Sequence, residues 1–257
     1  MNLPADPSCP PPSAAGGESS GIRLQVYLAH AGVASRRTSG AVILDGRVQV
    51  NGRPVTDKGF RVTPADTVCV DGKPVFPEQA KRYVLLNKPA GVVSTNADEQ
   101  GRRTAVSLLA GAYRERLYNI GRLDMYSEGA LLFTNDGGFA RQISHPSSGI
   151  EKEYLAVTFR PCDPGLAPAF QQGIEIDGTF YQARRVLQLS ARCLNIILIE
   201  GKNREIRRVF DFFGARIKKL QRIRIGCVRL GDLPSGAFRD LTAEEIDGLR
   251  RECERQS

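Results

Sequence analysis

Short apolar runs punctuated by Asp-Gly and Asn-Gly pairs constrain this chain more than any other feature. Four of the pairs fall at Asp45-Gly46, Asn51-Gly52, Asp71-Gly72 and Asp177-Gly178. Such dipeptides supply the positive-φ positions of tight hairpins. Around them Val48 and Val50, Val68 and Val70, and Ile174 and Ile176 alternate with other residues as half-buried strands do. CLNIILIEG (193–201) reads as a core strand. Helical spacing is confined to fewer places. Leu24, Leu28 and Ala31 precede a break at Gly32, and a second helix, capped by Ser35, ends near Leu44. In NREIRRVFDFFGARI, Ile206, Val209, Phe210 and Phe213 share one side. Strands outnumber helices and hairpins recur, so an antiparallel α+β fold is favoured over a doubly wound sheet. The pattern gives a small N-terminal module of two helices and hairpins, then a mixed, mainly antiparallel-sheet domain.

The boundaries follow from composition. Residues 1–20 hold five Pro, two Gly and four Ser with no Lys or Arg. They lack the features of a signal or transit peptide and read as a disordered leader without an expected role. The module spans 21–79, the second domain 82–247, and 248–257 reads as a C-terminal tail. A chain of 257 residues with 41% hydrophobic residues can bury such cores, and no apolar run is long enough to span a membrane. Six unclustered Cys and two His argue against a zinc site or a disulfide scaffold and for a reducing, cytoplasmic setting.

The chain is basic, at +8, and the charge is concentrated. Residues 21–62 carry seven cations, Arg36, Arg37 and Arg47 among them, against Asp45 and Asp57. Residues 202–224 carry nine, namely Lys202, Arg204, Arg207, Arg208, Arg216, Lys218, Lys219, Arg222 and Arg224, against Glu205 and Asp211. Together these exceed the net charge of the whole chain, so the remainder is acidic. Cations so localised form a nucleic-acid footprint, and Arg36-Arg37 at a helix start suits phosphate. A solvated basic face is the alternative. Phe210, Phe212 and Phe213 interrupt the second cluster and argue against it.

The strand-turn-strand GRLDMYSEGALLFTNDG places Asp124 in a polar turn. By spacing alone, Asp124 is a turn residue, half of an ion pair with Arg122, or a reactive carboxylate. The other His-, metal- and nucleotide-based chemistries have no motif here: there is no Walker loop, GxGxxG or HExxH, and His145 falls in the loop-like SHPSSG. Nucleophilic attack or proton transfer by a carboxylate, without metal or cofactor, remains.

Two resemblances sharpen this. RL…YLAHAGVASRR with GRVQVNG resembles the S-four-like RNA-binding domain, although Gln25 and Thr38-Ser39-Gly40 depart from its pattern. GRLDMYSEGALLFTNDG resembles the catalytic motif of the RsuA-type ribosomal pseudouridine synthases. The flanks agree: YVLLNKPAGVVST, GIEKEYLAV, EGKNREIRRVFDFFGARIKKLQRIRIG and LGDLPSGAFRDLT follow in the family's order, over about 22–247. Ala130 stands where that family usually has Leu, which implies slightly looser packing behind the loop.

The resemblance implies an isomerase that converts uridine in ribosomal RNA to pseudouridine with no cofactor. It implies that Asp124 starts glycosidic cleavage. Arg207 would pair with Asp124 and keep it ionised, and Tyr154 would stack on the target base with a part in proton removal. Arg122 would fill the gap left by the extruded base or hold phosphate, and Leu220 would wall the pocket. Large-subunit RNA, alone or in an assembly intermediate, is the favoured partner of a monomeric enzyme. Small-subunit RNA is the runner-up, with a tRNA-directed synthase weaker still. A non-catalytic RNA-binding assembly factor is the reading from another class; the presence of Asp124, Tyr154 and Arg207 argues against it.

Overall fold

The computed structural model describes residues 21–254 apart from 97 and 99, so the leader lies outside the described residues. The described residues divide into two compact units, with the break between Lys81 and Arg82. In the first, helices α1 (Leu24–His30) and α2 (Arg36–Leu44) pack on each other and share a core with a four-stranded sheet. Ser35 caps α2 as its sequence predicts, its hydroxyl accepting from the Thr38 amide at 3.1 Å. Val48–Val50 and Val68–Val70 pair antiparallel at the sheet centre. Asn51 and Gly52 both have positive φ, as their hairpin requires. Leu24, Leu28, Ile43, Val48 and Val68 form the core.

The second unit is built on a nine-stranded sheet. Its main order is 185–190, 193–198, 152–158, 217–225, 128–134, 83–88, 238–240, with two short strands alongside. Helices α4 (Leu166–Gln172) and α5 (Glu205–Phe212) contribute to the core on one face, and α3 (Gly137–Ser144) and α6 (Ala243–Glu254) to that on the other. Strand Glu128–Thr134 is therefore buried on both sides, Leu131 and Phe133 facing one core and Ala130 and Leu132 the other. Ala130 is fully buried at this seam. Among the described residues no helix is long and apolar enough to cross a membrane.

Two helices differ from the sequence reading. Residues 248–254 are no tail but the last turns of α6, which buries Leu249 and Cys253. Its start carries a capping box: the Glu245 amide donates to the Thr242 hydroxyl, and the Thr242 amide to the Glu245 carboxylate. The sequence T-A-E-E encodes this directly. Helix α4 lay hidden in LAPAFQQ, where a proline breaks the apparent helical run.

The pairings of this sheet are antiparallel except one. Strand Ile217–Ile225 meets Glu128–Thr134 in parallel, setting Gln221 opposite Glu128 and Arg222 opposite Gly129. Backbones approach so closely there that a Cβ on Gly129 would collide with the Arg222 carbonyl, and φ at Gly129 is +101°. Gly129→Ala should therefore destabilise this unit by about 2–4 kcal/mol. Gly178→Ala, in a turn with open space around it, should cost only about 1 kcal/mol. Urea unfolding of the two variants checks the ranking; equal losses would contradict the close approach.

Candidate active site

The segment Arg122–Ser127 leaves the sheet just before the parallel seam and crosses the wall of a cleft of about 600 Å³. Each residue of this loop is tethered. The Arg122 carbonyl accepts from Arg222 Nη1 at 3.5 Å. Leu123 exchanges two hydrogen bonds with the Ser94 hydroxyl, at 2.8 and 3.1 Å. The Asp124 carbonyl accepts from the Ser127 amide at 3.0 Å, and the Met125 carbonyl from the Gly91 amide at 2.8 Å. Lys88 Nζ also reaches Met125, at 3.2 Å. Arg207 Nη2 donates to the Tyr126 carbonyl at 3.0 Å and the Ser127 hydroxyl at 3.4 Å. The backbone is thus fixed while the half-buried Asp124 carboxylate faces the cleft without a hydrogen bond or ion pair among the described residues.

This corrects the expected Arg207–Asp124 pair. Helix α5 aims the Arg207 guanidinium at the loop backbone, and among the described residues no cation comes within 4.0 Å of the carboxylate. The two still attract. Burial pushes the Arg207 guanidinium below its ordinary value and Arg204 adds to this, while Asp124 opposes both. Lys88 acts similarly. Its side chain is fully buried, donating to the carbonyls of Pro89 at 2.9 Å and Val92 at 2.7 Å as well as to Met125. Burial lowers its pKa to about 8, with Glu128 and Asp124 holding it up.

Opposite the loop stands Tyr154, on strand Lys152–Thr158 and 8% exposed. A break in strand register between Glu153 and Tyr154 locally re-aims this strand. Arg222 lies beside Tyr154 in register, 4% exposed. Its Nη1 donates to the Tyr154 hydroxyl at 3.4 Å and its Nε to the Ala130 carbonyl at 2.7 Å. Arg222 Nη2 is buried without a partner, a state that typically costs about 1–3 kcal/mol. Lys152 borders the same cleft, donating to Ile150 and Ile199, and burial lowers its pKa to about 8.

The other expected contact residues scatter. Leu220 is buried in the cleft wall, and Arg122, Lys202 and Arg204 border the opening. Lys202 is engaged with Glu200 at 3.2 Å and the Phe180 carbonyl at 2.8 Å. Lys219 pairs with Glu128 at 3.5 Å. Arg208 and Lys218 are exposed, as are Arg36 and Arg37 on the other unit. Arg47 is held by Asp71, its Nε donating at 2.9 Å. Sequence reasoning gave no role to Lys88 or Lys152 and counted Arg222 only in the basic footprint. The signal was present in a lysine ending the apolar run YVLLNK and an arginine inside the alternating strand IKKLQRIRI.

A cleft with a tethered, unneutralised carboxylate, a buried tyrosine and a cationic rim suits an anionic substrate. Comparison with known proteins narrows the class. The family described as RNA pseudouridylate synthase matches residues 82–211, and the S4 domain matches residues 22–68. An uncharacterized RNA pseudouridine synthase of Aquifex aeolicus is 38% identical, over 89% of this chain and 93% of its own length. The ribosomal large subunit pseudouridine synthase B of Bacillus subtilis is also 38% identical, over 89% and 95%. A crystal structure of a pseudouridylate synthase superposes with a TM-score of 0.65 at 27% identity, covering 89% of this chain and 99% of that one. The chain belongs to the RNA pseudouridylate synthase family and is an isomerase with an N-terminal S4 domain.

Lys88 generates a prediction. Lys88→Met strips a donor from three carbonyls and should cost about 2–4 kcal/mol near neutral pH. In the native protein Lys88 binds its proton less tightly, near pH 8, than in the unfolded chain, near its ordinary 10.5. Its ionisation therefore opposes folding at neutral pH, and that opposition fades as pH rises through this window. The stability gap between wild type and variant should widen from about pH 7.5 to about pH 9.5 in urea titrations. A constant or shrinking gap would contradict the buried ammonium.

Proposed function

We propose that this synthase acts on uridine in ribosomal RNA of the large subunit, with Asp124 initiating cleavage of the bond between uracil N1 and ribose C1′. The observation that carries this reading is the Asp124 loop: its backbone is tethered throughout, yet the carboxylate faces the cleft unengaged. Fixing a nucleophile before substrate arrives supplies much of what proximity contributes to rate. Arg207 and Lys88 bring positive charge to its neighbourhood, and both are attracted to Asp124.

A target uridine has to leave its stack, at about a few kcal/mol. The Tyr154 ring, at the cleft wall, can return about 1–3 kcal/mol of this by stacking. As N1–C1′ breaks, its electron pair stays with the uracil. The base turns within the cleft and C5 bonds to C1′. C5 then loses its proton, the C–H pair restores the ring double bond, and N1 takes up a proton. No atom is gained or lost, so the reaction itself calls for no cofactor. Arg122, exposed at the opening, serves the RNA backbone or the space the base vacates. The S4 domain, with exposed Arg36 and Arg37 at the start of α2, adds phosphate contacts. The large-subunit assignment is supported by the printed name of the Bacillus subtilis relative.

Tritium release from large- and small-subunit transcripts labelled at uridine C5 tests the substrate and the nucleophile together. The wild type should release tritium from the large-subunit transcript, and Asp124→Asn should release none while binding RNA normally. Release by the variant would remove Asp124 from its role, and release from the small-subunit transcript alone would reassign the substrate. Replacing Arg36 and Arg37 by Gln should reduce the salt dependence of RNA affinity by about 1–2 units of log–log slope. An unchanged slope would mean that these cations meet no phosphate.

A further inference from the structure

We propose that the outer side of α5 is a track for RNA leading out of the cleft, and that Phe212 is a shelf on which an unpaired base flanking the target uridine stacks. This rests on the reading above that the uridine enters beside Asp124. Of the three phenylalanines that interrupt the basic segment, packing accounts for two. Phe210 is fully buried and Phe213 packs half-buried against the core, whereas Phe212 is 58% exposed. One exposed apolar side chain on its own calls for no explanation. This one continues a line of cations. Arg204, Arg208 and Phe212 are four residues apart, so they follow one side of the helix at steps of about 6 Å. Arg204 borders the cleft, Arg208 is exposed beyond it, and Phe212 is the last residue of the helix.

The cations of this line are free. The Arg204 and Arg208 guanidinium groups have no hydrogen bond or ion pair among the described residues, unlike Lys202, Lys219 and Arg224, which have carboxylate partners. The ring is braced: Phe213 packs against Phe212 at 5.4 Å between ring centres and 76° between ring planes. The same chemistry recurs past the turn at Gly214. The Phe159 amide donates to the Arg216 carbonyl at 3.1 Å, the Phe159 ring is 51% exposed, and the guanidinium carbon of Arg216 lies 5.2 Å from its centre. With Lys218, four exposed cations on this stretch stand against the exposed Asp211 and Asp163.

A strand of RNA offers phosphates and bases in the same alternation. Phosphates beside Arg204 and Arg208 would release counterions without breaking an ion pair, since neither guanidinium has one. A base on Phe212 is held through its π-face, which every base has, so the shelf adds affinity without choosing sequence.

The test uses the full chain and a ribosomal RNA hairpin that the wild type converts, intact or with an abasic site at each flanking position in turn. Phe212→Ala should weaken binding of the intact hairpin by about 5- to 100-fold. It should leave the rate at saturating RNA unchanged, because the ring does not line the cleft. One abasic site should weaken wild-type binding to the same extent, and on that RNA Phe212→Ala should cost about 2-fold or less. Phe212→Tyr should keep wild-type affinity, whereas Phe212→Leu, apolar but without a ring, should bind as weakly as Phe212→Ala. Arg208→Gln should lower the log–log salt slope of affinity by about 1. Melting curves normalise each affinity to folded protein. Wild-type affinity in Phe212→Ala or Phe212→Leu, or a loss that no abasic site cancels, would overturn the proposal and leave the ring to the fold or to a protein partner. An unchanged salt slope in Arg208→Gln would overturn it as well. If the wild type converts no ribosomal RNA hairpin, the reading of the cleft falls and this proposal with it; conversion without coupling between Phe212 and a flanking base overturns the proposal alone.

Discussion

The catalytic unit depends on one parallel pairing, between Glu128–Thr134 and Ile217–Ile225. In a sheet otherwise made by antiparallel neighbours, this seam joins chain segments nearly a hundred residues apart. It brings the end of the Asp124 loop against the strand that carries Arg222, and that strand in turn positions Tyr154. The close approach is possible only because residue 129 lacks a side chain. Helix α5 then delivers Arg207 to the same loop from the strand's N-terminal side. Take away the seam, and the carboxylate, the phenol and the guanidinium groups lose their common frame.

Around that frame the electrostatics are lopsided. Lys88, Lys152, Arg207 and Arg222 are buried wholly or in part at the site or its supporting loop, with few carboxylates among them. Burial depresses both lysines to a pKa of about 8, and repulsion from Arg222 contributes. An excess of buried positive charge is costly in the free protein. It is favourable once a polyanion enters. The arrangement differs from a simple ion pair. Arg207 spends its hydrogen bonds on the Tyr126 carbonyl and the Ser127 hydroxyl, so Asp124 is held through its backbone and its side chain stays available.

Much of this was legible in the residues. Turn dipeptides located the hairpins of the S4 domain, and the helical spacing of Ile206, Val209 and Phe210 located α5. The Asn135-Asp136-Gly137 stop after Phe133 marked the start of α3, where Asp136 caps the helix. Helix α6 was also encoded, in its capping box, but its low hydropathy concealed it beside a polar C-terminus. What local pattern could not show was partner choice. A strand reads the same whether its neighbour runs parallel or antiparallel, so the seam at Gly129 was invisible. The resemblance implied a direct Asp124–Arg207 pair, whereas the fold routes their association through the loop backbone. Lys88 received no role and Arg222 was counted only in the basic footprint; here both point inward, and only packing reveals it.

The central claim is that the cleft between the Asp124 loop and Tyr154 receives an extruded uridine. A crystal structure of the full chain with an RNA hairpin carrying a non-isomerisable uridine analogue tests it most directly. The account predicts the analogue base flat against the Tyr154 ring, with the Asp124 carboxylate at its sugar or base and the Asp124 loop unmoved. A base bound outside this cleft, or Asp124 turned away from it with the loop rebuilt, would contradict the account.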